Sequence, residues 1–276
     1  MPERAAPDPL YVASRRVLLD ALEALSAQRR AAILVGAHAV YLRVGEGDLA
    51  TTPHTTDADL ALDPSLLGGD PLLNEALVAA GFWPKTGASG PVVGSWVTAQ
   101  EVEGRSVHVD LDLLIPEAVS GDGTRAARLG VQGNRLARKA FGLELALVDN
   151  DVMSVGALDS DQRSFPVRVA GVAALLVAKV HKVAERLDDP KRDDYIAKDA
   201  LDMLRLLRGS DIDSMARVLS LQPAHPSLLQ PPVNSARTKP LSPLLACPAG
   251  PSQVPASSGR PADRGRRRRP TGRGFR

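Results

Sequence analysis

The sequence predicts an α+β fold: a mixed sheet flanked by helices, followed by a C-terminal helical part and a disordered tail. Three observations carry this. Short strand-like runs alternate with helical ones from residue 14 onward. Two strongly periodic helical segments follow, at 171–187 and 195–209. Beyond residue 220 the apolar periodicity stops, and 11 of the 22 prolines fall in 221–276. The expected boundaries are a core over 1–165, a helical part over 166–220 packing on it, and a Pro/Arg-rich tail over 221–276.

The elements follow in order. "SRRVLLDALEALSAQRRA" (14–31) places Val17, Leu18, Ala21, Leu22 and Leu25 at helical spacing, with Ser14 as its N-cap. "AILV" (32–35) reads as a short buried strand that Gly36 ends. "AHAVYLRVG" (37–45) reads as a helix stopped by Gly45. After a polar loop, "TDADLAL" (56–62) alternates with period two. Ala58, Leu60 and Leu62 point one way, and Asp57, Asp59 and Ala61 the other. "PLLNEALVAAG" (71–81) is a helix with a glycine stop. "VVGSWVTAQEV" (92–102) and "SVHVDLDLLI" (106–115) form an antiparallel pair turning near Glu103-Gly104, with His108, Asp110 and Asp112 on one face. Residues 118–135 read as loop and "LELALV" (143–148) as a strand. "GVAALLVAKVHKVAERL" and "YIAKDALDMLRLLRG" are the two late helices, the second stopped by Gly209.

Composition narrows the function classes. Aromatics make up 3% of the chain, so Leu, Val, Ile and Ala must build the core. No apolar run approaches the length of about 18 residues that a membrane span needs. "MPERAAPDPLYVASRR" lacks the apolar stretch of a signal peptide. A single cysteine, Cys247, fits a reducing compartment. A cytoplasmic location without membrane partners is the expectation. The net charge of +2 hides an asymmetry: 221–276 holds 10 Lys+Arg and one acid, leaving 24 basic and 31 acidic residues in 1–220. An acidic body argues against a broad nucleic-acid-binding face, whereas the arginine run 266–269 suits a phosphate-seeking arm.

Asp57 and Asp59 pose the sharpest question. Two carboxylates at i and i+2 on one strand face repel each other, and a divalent cation relieves that repulsion. Mg²⁺ takes carboxylate oxygens and leaves positions for substrate phosphates. Gly36, between a strand and a helix, lets a phosphate approach the backbone and the helix N-terminus. Asp110 and Asp112 offer a third carboxylate, able to bind metal or take a proton from an attacking hydroxyl. The plain alternative is a pair of solvent-facing acids at a sheet edge.

In this arrangement "ILVGAHAVYLR…TTDADLAL…VDLDLLIP" resembles the minimal nucleotidyltransferase core of the DNA polymerase beta superfamily. "LLVAKVHKVAER" followed by "AKDALDMLRLL" is similar to the paired late segments of the AbiEii/AbiGii-type nucleotidyltransferase toxins. The likeness spans roughly residues 14–209. It implies a Mg²⁺-dependent enzyme that transfers NMP from an NTP to an acceptor hydroxyl, on RNA such as a tRNA 3′ end or on protein, with a cognate antitoxin as partner. It implies metal ligation by Asp57 and Asp59, with Asp112 as third carboxylate and Asp110 as its alternate. It further implies nucleotide contacts by Gly36, Ala37, His38, Thr56, Lys179, Lys182 and Lys198, and a catalytic part for Lys179 and Asp199, with Asp202 as the second acid of that segment. The family has a second Gly or a Ser after its first glycine. This chain has Ala37-His38 there, which leaves a nucleotide- or partner-binding module of the same fold as the rival reading.

Several residues carry two readings each. Lys179, Lys182 and Arg186 form one basic stripe, either a solvated face or the edge of a phosphate cleft. Asp199 sits mid-helix beside Lys198, among the apolar positions Ala200, Leu201 and Leu204, and needs a partner. It either bridges to Lys179 or Lys182 or orients a substrate-binding lysine. His38 either meets the nucleotide or packs and caps. His108 either joins a metal set with Asp110 and Asp112 or serves the strand, and His181 lies off the basic stripe.

Overall fold

The computed structural model describes residues 7–45, 54–123, 125–187 and 193–220. The tail over 221–276, and with it the arginine run and Cys247, lies outside the described residues, as does most of the polar loop before 56.

The chain opens on helix α1 (Pro9–Ala24). Its cap is Asp8, whose carboxylate accepts from the amides of Leu10 and Tyr11, with Pro9 in the first turn. Ser14, expected as the cap, sits instead in the buried helix interior and donates to the Tyr11 carbonyl. Asp8-Pro9 is the stronger start signal, because proline brings a helical φ and lacks only an amide that would be unsatisfied there. A short 3-10 turn (Ser26–Ala31) leads into β1 (Ala32–Val35), fully buried. Helix α2 (Gly36–Val44) starts without a linker and ends at Gly45, whose amide donates to the Tyr41 carbonyl.

Strand β2 (Asp57–Leu62) and helix α3 (Leu73–Ala79) follow. A strand that periodicity did not reveal, β3 (Trp83–Gly87), precedes the long hairpin of β4 (Gly90–Val102) and β5 (Arg105–Pro116). Its turn is Glu103-Gly104, both at positive φ, as a two-residue hairpin requires. Three further strands are β6 (Arg138–Ala140), β7 (Asn150–Gly156) and β8 (Ser164–Ala170). The segment read as a strand over 143–148 is a 3-10 turn, Glu144–Leu147. Helices α4 (Val172–Arg186) and α5 (Asp193–Arg208) lie where expected, and α6 (Ile212–Ser220) closes the described chain.

The strands form one mixed sheet in the order β3-β4-β5-β2-β1-β8-β7, with β6 paired to the far end of β5. β2 is parallel to β5 and antiparallel to β1. α1 packs against β2, β4, β5 and β8. Gln100, on the Trp96 side of β4, donates to Asp20 of α1. The α1 side is therefore the Leu60–Leu111 face, whose side chains are fully buried. The opposite face carries the aspartates. α2 packs on β1 and β2, and α4 and α5 pack on each other and on α2. The architecture is thus the α+β layering that the sequence predicts. Among the described residues no helix is long and apolar enough to cross a membrane.

Candidate active site

The register between β2 and β5 sets the site. Asp57 pairs with Asp110, and Asp59 with Asp112. Paired residues on adjacent strands share a face, about 4.8 Å apart across the ladder and roughly 6.5 Å along it. Four carboxylates therefore stand in a two-by-two array on one sheet face. The neighbours complete two rows: Val35, Asp59, Asp112 and Ser95 in one, and Asp57, Asp110 and Val97 in the other.

The four acids are not equivalent. Asp110 is paired with Lys85 of β3. Asp112 is satisfied on both oxygens: the Ser95 hydroxyl donates to Oδ1 at 2.6 Å and Arg138 of β6 donates to Oδ2 at 2.5 Å. Asp57 accepts from the Thr55 hydroxyl at 2.6 Å. Asp59 is only 6% exposed, yet no described residue gives it a hydrogen bond or an ion pair. Its carboxylate stands against Gly36, where a β-carbon would lie 2.0 Å from Oδ2. Gly36 also holds φ +68°. The glycine is thus demanded twice, and the close group is a protein carboxylate. Gly36→Ala is expected to cost at least ~1–2 kcal/mol from the left-handed backbone alone, and to push Asp59 off its position. Urea denaturation of the variant checks it, and an unchanged midpoint would refute it.

Charge separates the pair on β2. Burial raises the Asp57 carboxyl, but Lys198, the Thr55 hydroxyl and Lys182 outweigh it and hold it below the ordinary carboxylate value. For Asp59 burial dominates and pushes the carboxyl up; Lys182 pulls it down while Asp57 and Asp112 push it further up. A buried carboxylate that is costly to ionise and lacks a partner is a group in want of a cation. Asp57 and Asp59 fit a hard divalent ion such as Mg²⁺ in donor chemistry, and they share one strand face. Asp110 and Asp112 do not fit it as they stand, because Lys85 and Arg138 already neutralise them. Among the described residues no group of three His, Cys, Asp or Glu is arranged to hold a metal ion.

Two lysines oppose the array. Lys198 of α5 reaches the Thr55 hydroxyl at 3.3 Å. Lys182 of α4 is half-buried and contributes to the charge felt by both Asp57 and Asp59. The basic stripe on α4 is therefore split. Lys179 is turned into the helix interface, 4% exposed, and donates at 2.7 Å to both Asp199 and Asp202. Arg186 pairs with Asp199, and Arg205 donates to Asp202 at 3.1 Å. Lys179 and Asp199 are thus partners of each other in this buried cluster. The Arg205 guanidinium also lies over the Tyr41 ring, joining α5 to α2.

The remaining candidates scatter. Ala37 is buried in the first turn of α2, and Thr56 is exposed next to the array. His38 is buried, stacked on Tyr11, and accepts at Nδ1 from Arg15 at 3.2 Å. That contact leaves the proton on Nε2, 3.0 Å from the Ser14 hydroxyl. Burial and the Arg15 charge hold the imidazole well below its ordinary value, hence neutral. The Ser14 hydroxyl lies between the Tyr11 and Thr55 carbonyls, at 3.0 and 3.1 Å, and its single proton serves one of them at a time. His38 thus ties α1 to the segment that places Thr55 and Asp57. His108 sits edge-on to Trp83, and His181 lies against Gly142.

Sequence reasoning missed Thr55, Ser95, Lys85 and Arg138. Thr55 had a signal, since a hydroxyl two residues before a strand aspartate can accept or give a local hydrogen bond. Ser95 was legible only through the hairpin register. Lys85 and Arg138 come from strands of five and three residues, too short to show a period.

Comparison with known proteins adds little. No family model matches the chain, and no curated protein matches it. Among solved structures, an antigenic nucleotidyltransferase-like protein from Paracoccidioides brasiliensis is 13% identical, with a TM-score of 0.43 over 76% of this chain and 88% of that one. The antibiotic-resistance factor ANT(2'')-Ia is 12% identical, with a TM-score of 0.40 over 77% of this chain and 92% of that one.

Proposed function

We propose that the chain is a Mg²⁺-dependent nucleotidyltransferase of the DNA polymerase beta superfamily, of the AbiEii/AbiGii toxin type, moving NMP from an NTP to an acceptor hydroxyl. The observation that carries this is Asp59: a buried carboxylate without a hydrogen-bonding partner among the described residues, beside Asp57, with the Lys182 charge felt by both and the Lys198 charge by Asp57. Asp57 and Asp59 would hold the metal, which when bound offsets polyphosphate charge and orients the α-phosphorus. Lys182 and Lys198 meet the remaining phosphate charge. Asp112, or Asp110 beside it, takes the proton of the acceptor hydroxyl. The attacking oxygen bonds to the α-phosphorus, and the bond to the β,γ-diphosphate breaks, releasing pyrophosphate. Positioning and electrostatics supply the catalysis. Lys179 and Asp199 serve indirectly, by fixing α4 against α5 so that Lys182 and Lys198 face the sheet. RNA, including a tRNA 3′ end, or protein is the acceptor class in this reading, with a cognate antitoxin and a cytoplasmic location. The organisation in this reading is a core over 1–165, a helical part over 166–220 packing on it and a tail over 221–276.

A second reading has its own observation. Lys85 and Arg138 neutralise both acids of β5, as in a module that binds nucleotide or a partner without turnover. Incubation with each α-³²P-NTP, Mg²⁺ and a cell RNA and protein pool separates the two. Labelled acceptor and released pyrophosphate are expected. Saturable nucleotide binding with neither product would favour the module. Lys182→Ala/Lys198→Ala is expected to raise the KM for NTP at least about tenfold, since each lysine is a charge-assisted phosphate contact.

A further inference from the structure

The array holds four carboxylates, and the two on β5 are already spoken for by cations that belong to the chain. Arg138 is built into its position. β6 pairs with the far end of β5, Leu114 opposite Arg138. Ala126 bridges to Arg138 from the other side. Gly94 of β4 makes room for it: at φ +74°, a β-carbon there would lie 2.3 Å from the Arg138 amide nitrogen. The Gly94 amide donates to the Arg135 carbonyl, which fixes the chain just before Arg138. From this cradle the guanidinium donates to Asp112 Oδ2, and Ser95 closes Oδ1. Asp112 is only 17% exposed on its side chain and Arg138 24%, so the pair is poorly solvated.

We infer that Arg138 and Ser95 withhold Asp112 from metal binding, so that the site takes one divalent cation, on Asp57 and Asp59, with the Arg138 guanidinium as the fixed positive charge beside it. The inference rests on the proposed metal role of the β2 pair. A guanidinium does not deprotonate in a protein, so it cannot vacate Asp112 by losing its charge. A second divalent ion would have to break a charge-assisted hydrogen bond and settle beside a permanent cation. Arg138 also contributes to the charge felt at Asp59, so one fixed cation serves two acids in the same row. Among the described residues, Lys85 of β3 pairs with Asp110 alone, and both side chains are partly exposed.

Mn²⁺ alone, titrated into the full chain and followed by the loss of the free-ion EPR signal, counts the sites directly. One site is expected in the wild type and none in Asp59→Asn. Asp112→Asn is expected to keep one site with Kd unchanged within about threefold. Arg138→Gln is expected to bind two ions, and Arg138→Lys one, because it keeps the cation. Circular dichroism melts show which variants are folded, and the Arg138→Lys and Asp112→Asn counts carry the test if Arg138→Gln is not. Two sites in the wild type, one lost in Asp112→Asn, would overturn the inference and leave the transferase reading standing. A single site in folded Arg138→Gln would overturn it as well. No Mn²⁺ bound by the wild type would overturn the β2 metal role, and this inference with it.

Discussion

Lys179→Met is expected to destabilise the protein by about 3–5 kcal/mol, the usual consequence of removing one partner from a buried ion pair. Lys179 is the hub of a cluster in which Asp199 is 4% exposed and Asp202 is fully buried. Without the ammonium, each carboxylate keeps one cation, Arg186 or Arg205, and loses the charge between them. For a chain of this size the melting temperature should fall by roughly 6–20 °C, at about 2–4 °C per kcal/mol. A double variant, Lys179→Met/Asp199→Asn, removes one orphaned charge as well. It should recover part of the loss, and the double-mutant cycle measures how much. Additive losses would show that the two side chains do not interact.

The same cluster gives a pH signature. Burial lowers the Lys179 ammonium's value, but Asp202 and Asp199 more than reverse that and hold it above the ordinary 10.5. A raised lysine contributes its full stability below the unfolded value and loses it as pH rises through the folded one. The wild type should therefore lose stability above about pH 10.5, and Lys179→Met should lack this component. Thermal melts of both proteins between pH 8 and 11.5 check it.

Period and face were legible in the chain, whereas partnership was not. The alternation in 56–62 and 106–115 put Asp57 and Asp59, and Asp110 and Asp112, on single faces, because side chains on a strand repeat every two residues. That Asp57 stands opposite Asp110 depends on a parallel register between strands some fifty residues apart, which no local pattern specifies. Helical spacing placed α4 and α5 within a residue or two. It did not reveal which polar residues of α5 turn inward. Asp199, Asp202 and Arg205 are buried, and Leu204 and Leu207 are exposed. Charges that a facing helix neutralises can be buried, and the helix read alone does not show that partner. "LELALV" alternates like a strand, but the four residues Glu144–Leu147 only turn the chain before β7. β7 and β8 escaped notice because Pro166 and the polar run between them broke the pattern.

Asp59→Asn is expected to abolish transfer while making the metal-free protein more stable, and this opposition separates a ligand from a scaffold residue. Loss of a second-sphere partner already costs a metal site about 10–100-fold, so loss of a ligand should lower acceptor labelling at least ~100-fold. Stability moves the other way. In the metal-free fold Asp59 is buried without a partner and its carboxyl is raised above 3.8. A raised carboxylate disfavours the fold above its folded value, and the penalty shrinks as pH falls until it vanishes below the unfolded one. The amide carries no such penalty. In EDTA the variant should melt above the wild type at neutral pH, and the gap should close toward about pH 4. Mg²⁺ should then reverse the order. Binding to the native state alone raises wild-type stability by about 2.7 kcal/mol at a hundredfold excess over Kd, and the variant has no site to be raised by. If the variant melts below the wild type in EDTA and Mg²⁺ moves both equally, Asp59 is a structural acid and the metal belongs elsewhere.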